Sequence, residues 1–318
     1  MQKLISVEYL RAFSMLYIVG YWHLFNYTDA FPDYKNRFTY GLMLVVMGLF
    51  VFMSGFLIGC TTKSSTGLIH FYKKRLIRIY PLYALAVIVF YFYGISAAST
   101  LFKSLFFISM YNGPAPYTLW FITMLMLFYL VAPFLVRAVE EPAKYFLLVG
   151  AMFLVNLALM FVVKNMDHRI LLYFPCFCTG IYYAKYGLQA RKINIVPALI
   201  LFCFGLILSG VEIDSLVLNG IKYIPLVLSC SYLIFAISLI NEDKFKRFKL
   251  ISLFSYSSFA MYLFHRPVYV TLKALYFPEG EYFQALYLTT VGLLMVTLVS
   301  WGLQKLYDTG YAVVHKTS

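Results

Sequence analysis

Three stretches of the chain hold ionisable side chains among apolar neighbours. Glu8, Arg11 and His23 lie in a hydrophobic run that begins almost at the N-terminus and continues to about Tyr27. His265 lies in another, Ser255-Tyr256-Ser257-Ser258-Phe259-Ala260-Met261-Tyr262-Leu263-Phe264-His265-Arg266-Pro267. Such groups are expensive in hydrocarbon, so they face a protein interior and default to a functional reading. Plain hydrogen bonding to a neighbouring helix is the alternative for each imidazole. Histidine is suited to proton removal near neutral pH, and set against a hydroxyl it could act as general base while that oxygen attacks an acyl carbon. The third stretch, Phe71-Tyr72-Lys73-Lys74-Arg75-Leu76-Ile77-Arg78-Ile79-Tyr80-Pro81, packs four cations into six residues. It reads either as a topology anchor in contact with anionic lipid or as a site for a phosphorylated cytoplasmic donor, which arginine can hold bidentately. Arg75 and Arg78, three apart, share one helix face.

The elements that must position these residues follow from composition. The chain has 318 residues, 62% hydrophobic, 20% aromatic and 12% charged, against roughly 45–50% apolar and about 25% charged in soluble proteins. This excludes a water-soluble enzyme with a single buried core, and it excludes disorder. The expected fold is all-α: a polytopic membrane protein with ten spans, near residues 8–28, 39–60, 79–97, 118–138, 143–163, 168–185, 193–211, 220–240, 251–272 and 282–305. The apolar segment 101–111 is too short to cross and ends at Asn112-Gly113-Pro114-Ala115-Pro116, so it reads as interfacial or re-entrant. With the N-terminus inside, 17 Lys and Arg fall on the inner side and 8 on the outer, with Arg11 inside the first span. That asymmetry places both termini in the cytoplasm and accounts for the net charge of +13 without nucleic acid. The loops are short, so residues 1–318 read as a single membrane domain with no fused soluble domain. The five cysteines lie in or beside apolar stretches and read as packing residues; no metal site is expected.

Depth arithmetic links the two histidines. His23 lies 15 residues beyond Glu8 and His265 lies 14 beyond Ile251, or about 22 and 21 Å at the rise of an α-helix. Both spans run from inside to outside, so the two rings are expected at similar depth in the outer half of the membrane.

Four segments together resemble the integral membrane acyltransferase-3 family. Tyr9-Leu10-Arg11-Ala12 leading to His23 is similar to its first-helix motif. Phe50-Val51-Phe52-Met53-Ser54-Gly55-Phe56-Leu57-Ile58, with the Lys74–Pro81 stretch after it, resembles the second-helix signature and the basic motif that follows. Leu119-Trp120-Phe121, then Phe128-Tyr129 and Pro133, keeps the fourth-helix spacing, and Ser255-Tyr256 through His265-Arg266-Pro267 is like the late-helix motif. The resemblance implies ten helices in a bacterial cytoplasmic membrane. It also implies transfer of an acyl group, often acetyl, from cytoplasmic acyl-CoA to a hydroxyl of a carbohydrate or glycolipid; direct attack and an acyl-histidine intermediate are both compatible with the sequence. By carry-over His23 is the catalytic histidine with Arg11, while Lys74, Arg75 and Arg78 serve the donor. Trp120, Ser255, Tyr256 and His265 are further candidates. A transporter of a polysaccharide or lipid-linked intermediate is the alternative, with helix breaks at Gly113-Pro114, Phe174-Pro175-Cys176 or His265-Arg266-Pro267.

Two departures from the family pattern carry expectations. The family usually encloses ten residues between the basic residue and the histidine, whereas Arg11 and His23 enclose eleven. Eleven steps rotate an α-helix by about 20° net and twelve by about 120°. A π-bulge or unwinding between Ile18 and His23 is therefore expected, absorbing the added residue. Many members also carry a carboxylate between the Trp and the Phe-Tyr pair, where this chain has Ile122-Thr123-Met124-Leu125-Met126-Leu127. Glu8 could replace it only by facing the same cavity as His23.

Overall fold

A computed structural model describes residues 4–187 and 194–316. Lys3, Arg191 and Lys192, counted above on the cytoplasmic side, lie outside the described residues.

The helices are α1 (Ile5–Tyr17), α2 (Arg37–Thr61), α3 (Leu68–Phe92), α4 (Ala98–Leu105), α5 (Trp120–Ala138), α6 (Pro142–Val162) and α7 (Arg169–Tyr182). After these come α8 (Ile195–Gly210), α9 (Leu216–Ile221), α10 (Ile224–Ile240), α11 (Lys249–Leu275), α12 (Glu281–Tyr287) and α13 (Leu293–Lys316). No strand occurs among the described residues. The protein is a polytopic helical membrane protein: six helical segments among the described residues are long and apolar enough to cross a bilayer, 37–61, 68–92, 120–138, 142–162, 217–240 and 281–312. The other four expected spans take different forms. The first continues from α1 into a π turn and a 3-10 turn, and α7 and α8 have only 14 and 16 residues. Helix α11 is 27 residues long but buries Ser255, Ser257, Ser258 and His265, because its neighbours are other helices rather than lipid. Segment 101–111 is not a span: α4 ends at Leu105 after eight residues.

Pairs of helices set the interior. Helices α2 and α7 touch backbone to backbone, since a Cβ on Gly55 would overlap the Phe177 carbonyl and one on Gly180 would overlap the Phe52 carbonyl. Small residues allow that approach where no hydrophobic effect drives helices together. Helix α6 exposes Phe146, Leu147, Leu154 and Val155, and α8 exposes Val196, Ile200 and Ile207, as lipid-facing helices do. Pro81, Pro133, Pro175 and Pro267 all lie inside continuous helices, so neither Pro175 nor Pro267 breaks its helix.

Helices α1 and α11 run side by side in the same direction. At one end the Ser252 hydroxyl donates to Glu8 Oε2 at 2.8 Å, and at the other the His23 and His265 rings stack. The common depth expected of the two imidazoles is therefore an actual contact.

Candidate active site

The first helix changes character where the spacing demands it. Residues Ile18–His23 form a π turn, followed by a 3-10 turn at Leu24–Tyr27. The i→i+5 turn takes one residue out of the α-helical count, and the remaining eleven steps rotate by about 20°. The buried Tyr269 hydroxyl of α11 donates to the Val19 carbonyl at 3.1 Å, tying the turn to the helix that carries His265.

The two rings lie with centroids 4.9 Å apart and planes within 5° of parallel. His265 is fully buried. Its Nδ1 lies 3.0 Å from the Met261 carbonyl and 2.9 Å from the Tyr262 carbonyl. Both partners only accept, so Nδ1 carries a proton, and in the neutral ring Nε2 keeps a lone pair. That Nε2 is buried without a hydrogen-bond partner, as are His23 Nδ1, Arg266 Nε, Thr118 Oγ1 and the Tyr173 hydroxyl. Buried polar groups are nearly always paired, and two of these atoms, on His23 and Arg266, belong to residues that line one cavity, where a polar ligand could meet them. His23 lines a cavity of about 740 Å³ together with Trp22, Lys35, Arg37, Tyr40 and Arg266. That volume lies in the range of small-molecule sites.

A second polar cluster lies toward the other end of α1. The Arg11 charge acts on that of Arg78, with Tyr129 and Glu8 in the same neighbourhood. The Arg75 guanidinium sits over the rings of Phe71 and Tyr129, at 5.6 and 5.7 Å, and reaches Thr61 Oγ1 at 3.4 Å. Tyr129 in turn shares a 2.6 Å hydrogen bond with Ser54. Residues of the first-helix, second-helix, basic and fourth-helix motifs thus meet around Tyr129. None of Arg11, Arg75 and Arg78 lines the His23 cavity. Lys74 is exposed. Glu8 stays at this end, held by Ser252 and 3.8 Å from Arg247; it is not the group that orients His23.

The remaining candidates divide. Trp120 does not line the cavity; Arg169 sits 3.9 Å above its ring, and Tyr173 stacks at 6.0 Å. Ser255 and Tyr256 lie about 13–15 Å from His265 along α11. Tyr256 is exposed and donates to Asp308 at 2.6 Å, while Ser255 lends its carbonyl to Ser258. The structure does not bring either to the histidines.

Sequence reasoning missed Asp167, Arg169 and Tyr269. Arg169 Nε donates to Asp167 Oδ1 at 2.8 Å, with a second contact from Nη2 to Oδ2. Burial pushes the Asp167 carboxyl up, but the hydrogen bonds and charge of Arg169 outweigh it and hold the group below its ordinary value. In sequence, Asp167-His168-Arg169 resembles any solvated loop, and a tyrosine such as Tyr269 is unremarkable in a chain with 29 of them.

No curated protein and no solved structure matches the chain. The model of the acyltransferase-3 family, described as an acyltransferase domain, matches residues 4–305. That match covers all four of the motif-bearing segments and both polar clusters, and it supports acyl transfer to hydroxyls; the chain belongs to the acyltransferase-3 family.

Proposed function

We propose that the protein is an acyl-CoA-dependent O-acyltransferase of a cytoplasmic membrane, with ten spans and both termini in the cytoplasm. It transfers a short acyl group, acetyl in the first instance, to a hydroxyl of a carbohydrate or glycolipid on the outer side. Arg75 and Arg78, with Lys74 at the exposed rim, take the CoA phosphates, and Arg11 shapes the path of the pantetheine arm. His23 removes the acceptor hydroxyl proton as that oxygen bonds to the acyl carbon. The C–S bond breaks, and the CoA thiolate leaves with the proton passed on from the imidazole. His265 is a positioning residue, its ring fixed by two backbone carbonyls and laid flat against His23.

The observation that carries this reading is the placement of His23: on a π turn, against a second fixed imidazole, at the wall of a cavity, with a buried nitrogen that no protein group satisfies. The test uses purified protein with radiolabelled acetyl-CoA. CoA is expected to raise the thermal midpoint, the rise is expected to vanish in Arg75→Ala/Arg78→Ala, and His23→Ala is expected to transfer no label. A His23→Ala protein working at the wild-type rate would remove the assignment.

A further inference from the structure

The cavity beside His23 has a charge pattern that the transfer reaction alone does not require. Three cations line it, Lys35, Arg37 and Arg266, and no carboxylate does. The partners these cations have are neutral. Lys35 meets the Asn26 side-chain oxygen and sits 5.4 Å from the Tyr34 ring centroid. Arg37 donates to Ser209 Oγ at 3.0 Å. Arg266 lies 5.3 Å from the Tyr117 ring centroid, and its Nε is buried with no partner. Among the described residues none of the three takes part in an ion pair. The nearby carboxylates are placed elsewhere: Asp29 and Asp33 are exposed and do not line the cavity, and Asp167 is held by Arg169.

The backbone adds to the same field. Arg37 is the first residue of the 25-residue α2, whose N-terminus lies at the cavity wall with its partial positive charge, the Phe38 and Thr39 amides being capped by Asn36 Oδ1. Trp22, Tyr40, Tyr117 and Tyr223 form much of the remaining wall; Lys35, Arg37, Tyr40 and Tyr117 are exposed, so the cavity opens to water, and Arg266, whose Nε is buried, is the least screened of the three cations. Uncompensated cations held in a pocket at a site of chemistry select for negative charge in the molecule that enters. The donor does not supply it, because its proposed phosphate contacts, Arg75 and Arg78, lie in the other cluster.

We propose that the acceptor is anionic: a sugar bearing a phosphate or a carboxylate close to the hydroxyl that meets His23. This rests on the acyl-transfer reading and narrows its substrate. Phosphate and carboxylate share the anionic oxygens that guanidinium groups bind, and the experiment separates them.

Glucose, glucuronate and glucose 1-phosphate are offered as acceptors with radiolabelled acetyl-CoA. At least one anionic sugar is expected to show a KM about tenfold or more below that of glucose, the scale of one charge-assisted hydrogen bond. Lys35→Gln/Arg37→Gln is expected to raise the anionic KM by a similar factor while leaving the KM for acetyl-CoA in place. Equal KM values for all three sugars, or a double variant that moves glucose and the anions alike, overturns the proposal while leaving acyl transfer standing. Where none of the sugars is acetylated, the thermal midpoint decides: glucose 1-phosphate or glucuronate must stabilise the wild type more than glucose and must lose that advantage in the double variant, and failure of both overturns it. Loss of CoA stabilisation in the wild type is the separate signature that the transfer reading has failed.

Discussion

Removing one oxygen atom from Tyr269 tests whether the π turn is held in place for His23. The Tyr269 hydroxyl donates to the Val19 carbonyl at 3.1 Å, and both residues are fully buried. Tyr269→Phe keeps the ring and its contacts with Tyr27 and His265, at 5.3 and 6.2 Å between centroids, and deletes only the donor. Leaving a buried carbonyl short of a partner costs about 1–3 kcal/mol. The carbonyl lies within the turn that ends at His23, so part of that cost is released by letting the turn relax. About 1.4 kcal/mol expressed at the ring is a tenfold loss in rate, and a displacement near 1 Å can cost about a hundredfold. The expected result is kcat reduced about five- to fiftyfold, with the KM for acetyl-CoA unchanged because the proposed donor contacts, Arg75 and Arg78, do not line the His23 cavity. Acyl transfer at saturating donor and acceptor reads kcat, and a melting curve reads stability. A lowered midpoint with wild-type kcat would show that the bond supports the bundle and not the histidine, which refutes the positioning argument.

Two further outcomes follow from the same geometry. Deleting Gly20 restores ten residues between Arg11 and the histidine and should return the turn to an α-helix with acyl transfer within about tenfold of wild type; Tyr269→Phe should then be nearly silent, a coupling that a double-mutant cycle of kcat reads. Asp167→Asn should cost about 1.5–3 kcal/mol, the range for hydrogen bonds to a charged group. The folded carboxyl lies below its ordinary value of 3.8, so its contribution is fully present above that value and is lost as pH falls through the lower folded value. Melting curves from pH 7 downward should therefore show the gap between wild type and Asp167→Asn closing in acid; a constant gap would mean that the carboxylate charge is not what Arg169 uses.

Much of the geometry of the candidate site is legible along the chain because its signals are local. A twelve-step separation between Arg11 and His23 is incompatible with a shared face on an α-helix, and the π turn at Ile18–His23 is the consequence. The common depth of His23 and His265 followed from counting residues from the inner ends of two spans, and the Glu8–Ser252 hydrogen bond shows why that origin was sound. Lateral neighbours were harder. Nothing in a linear sequence says that Tyr269 faces Val19 or that Arg169 covers Trp120, since those contacts depend on how helices rotate against one another. Hydropathy also misjudges enclosed helices. Helix α11 packs inside the bundle and carries serines and a histidine on buried positions, so its average polarity reports its neighbours rather than its depth.

The stretch between Trp120 and Phe128 bears on how proton transfer is supported. Many members of the family place a carboxylate there; here the segment is apolar but for Thr123, whose hydroxyl shares a 2.8 Å hydrogen bond with Tyr83. Glu8 is remote, and the ring beside His23 belongs to another histidine, whose Nδ1 proton faces two carbonyls. Protonating both rings at 4.9 Å would cost about 3 kcal/mol at an effective dielectric constant near 20, so the pair carries at most one positive charge at a time. In the proposed complex negative charge enters with the acceptor, drawn by Lys35, Arg37 and Arg266 to the wall that His23 shares. The acceptor's anion then stands close to the imidazole as it takes the proton, at a cavity wall that carries no carboxylate of its own. Binding and proton transfer would draw on the same substrate charge, so a neutral sugar would lose in kcat as well as in KM.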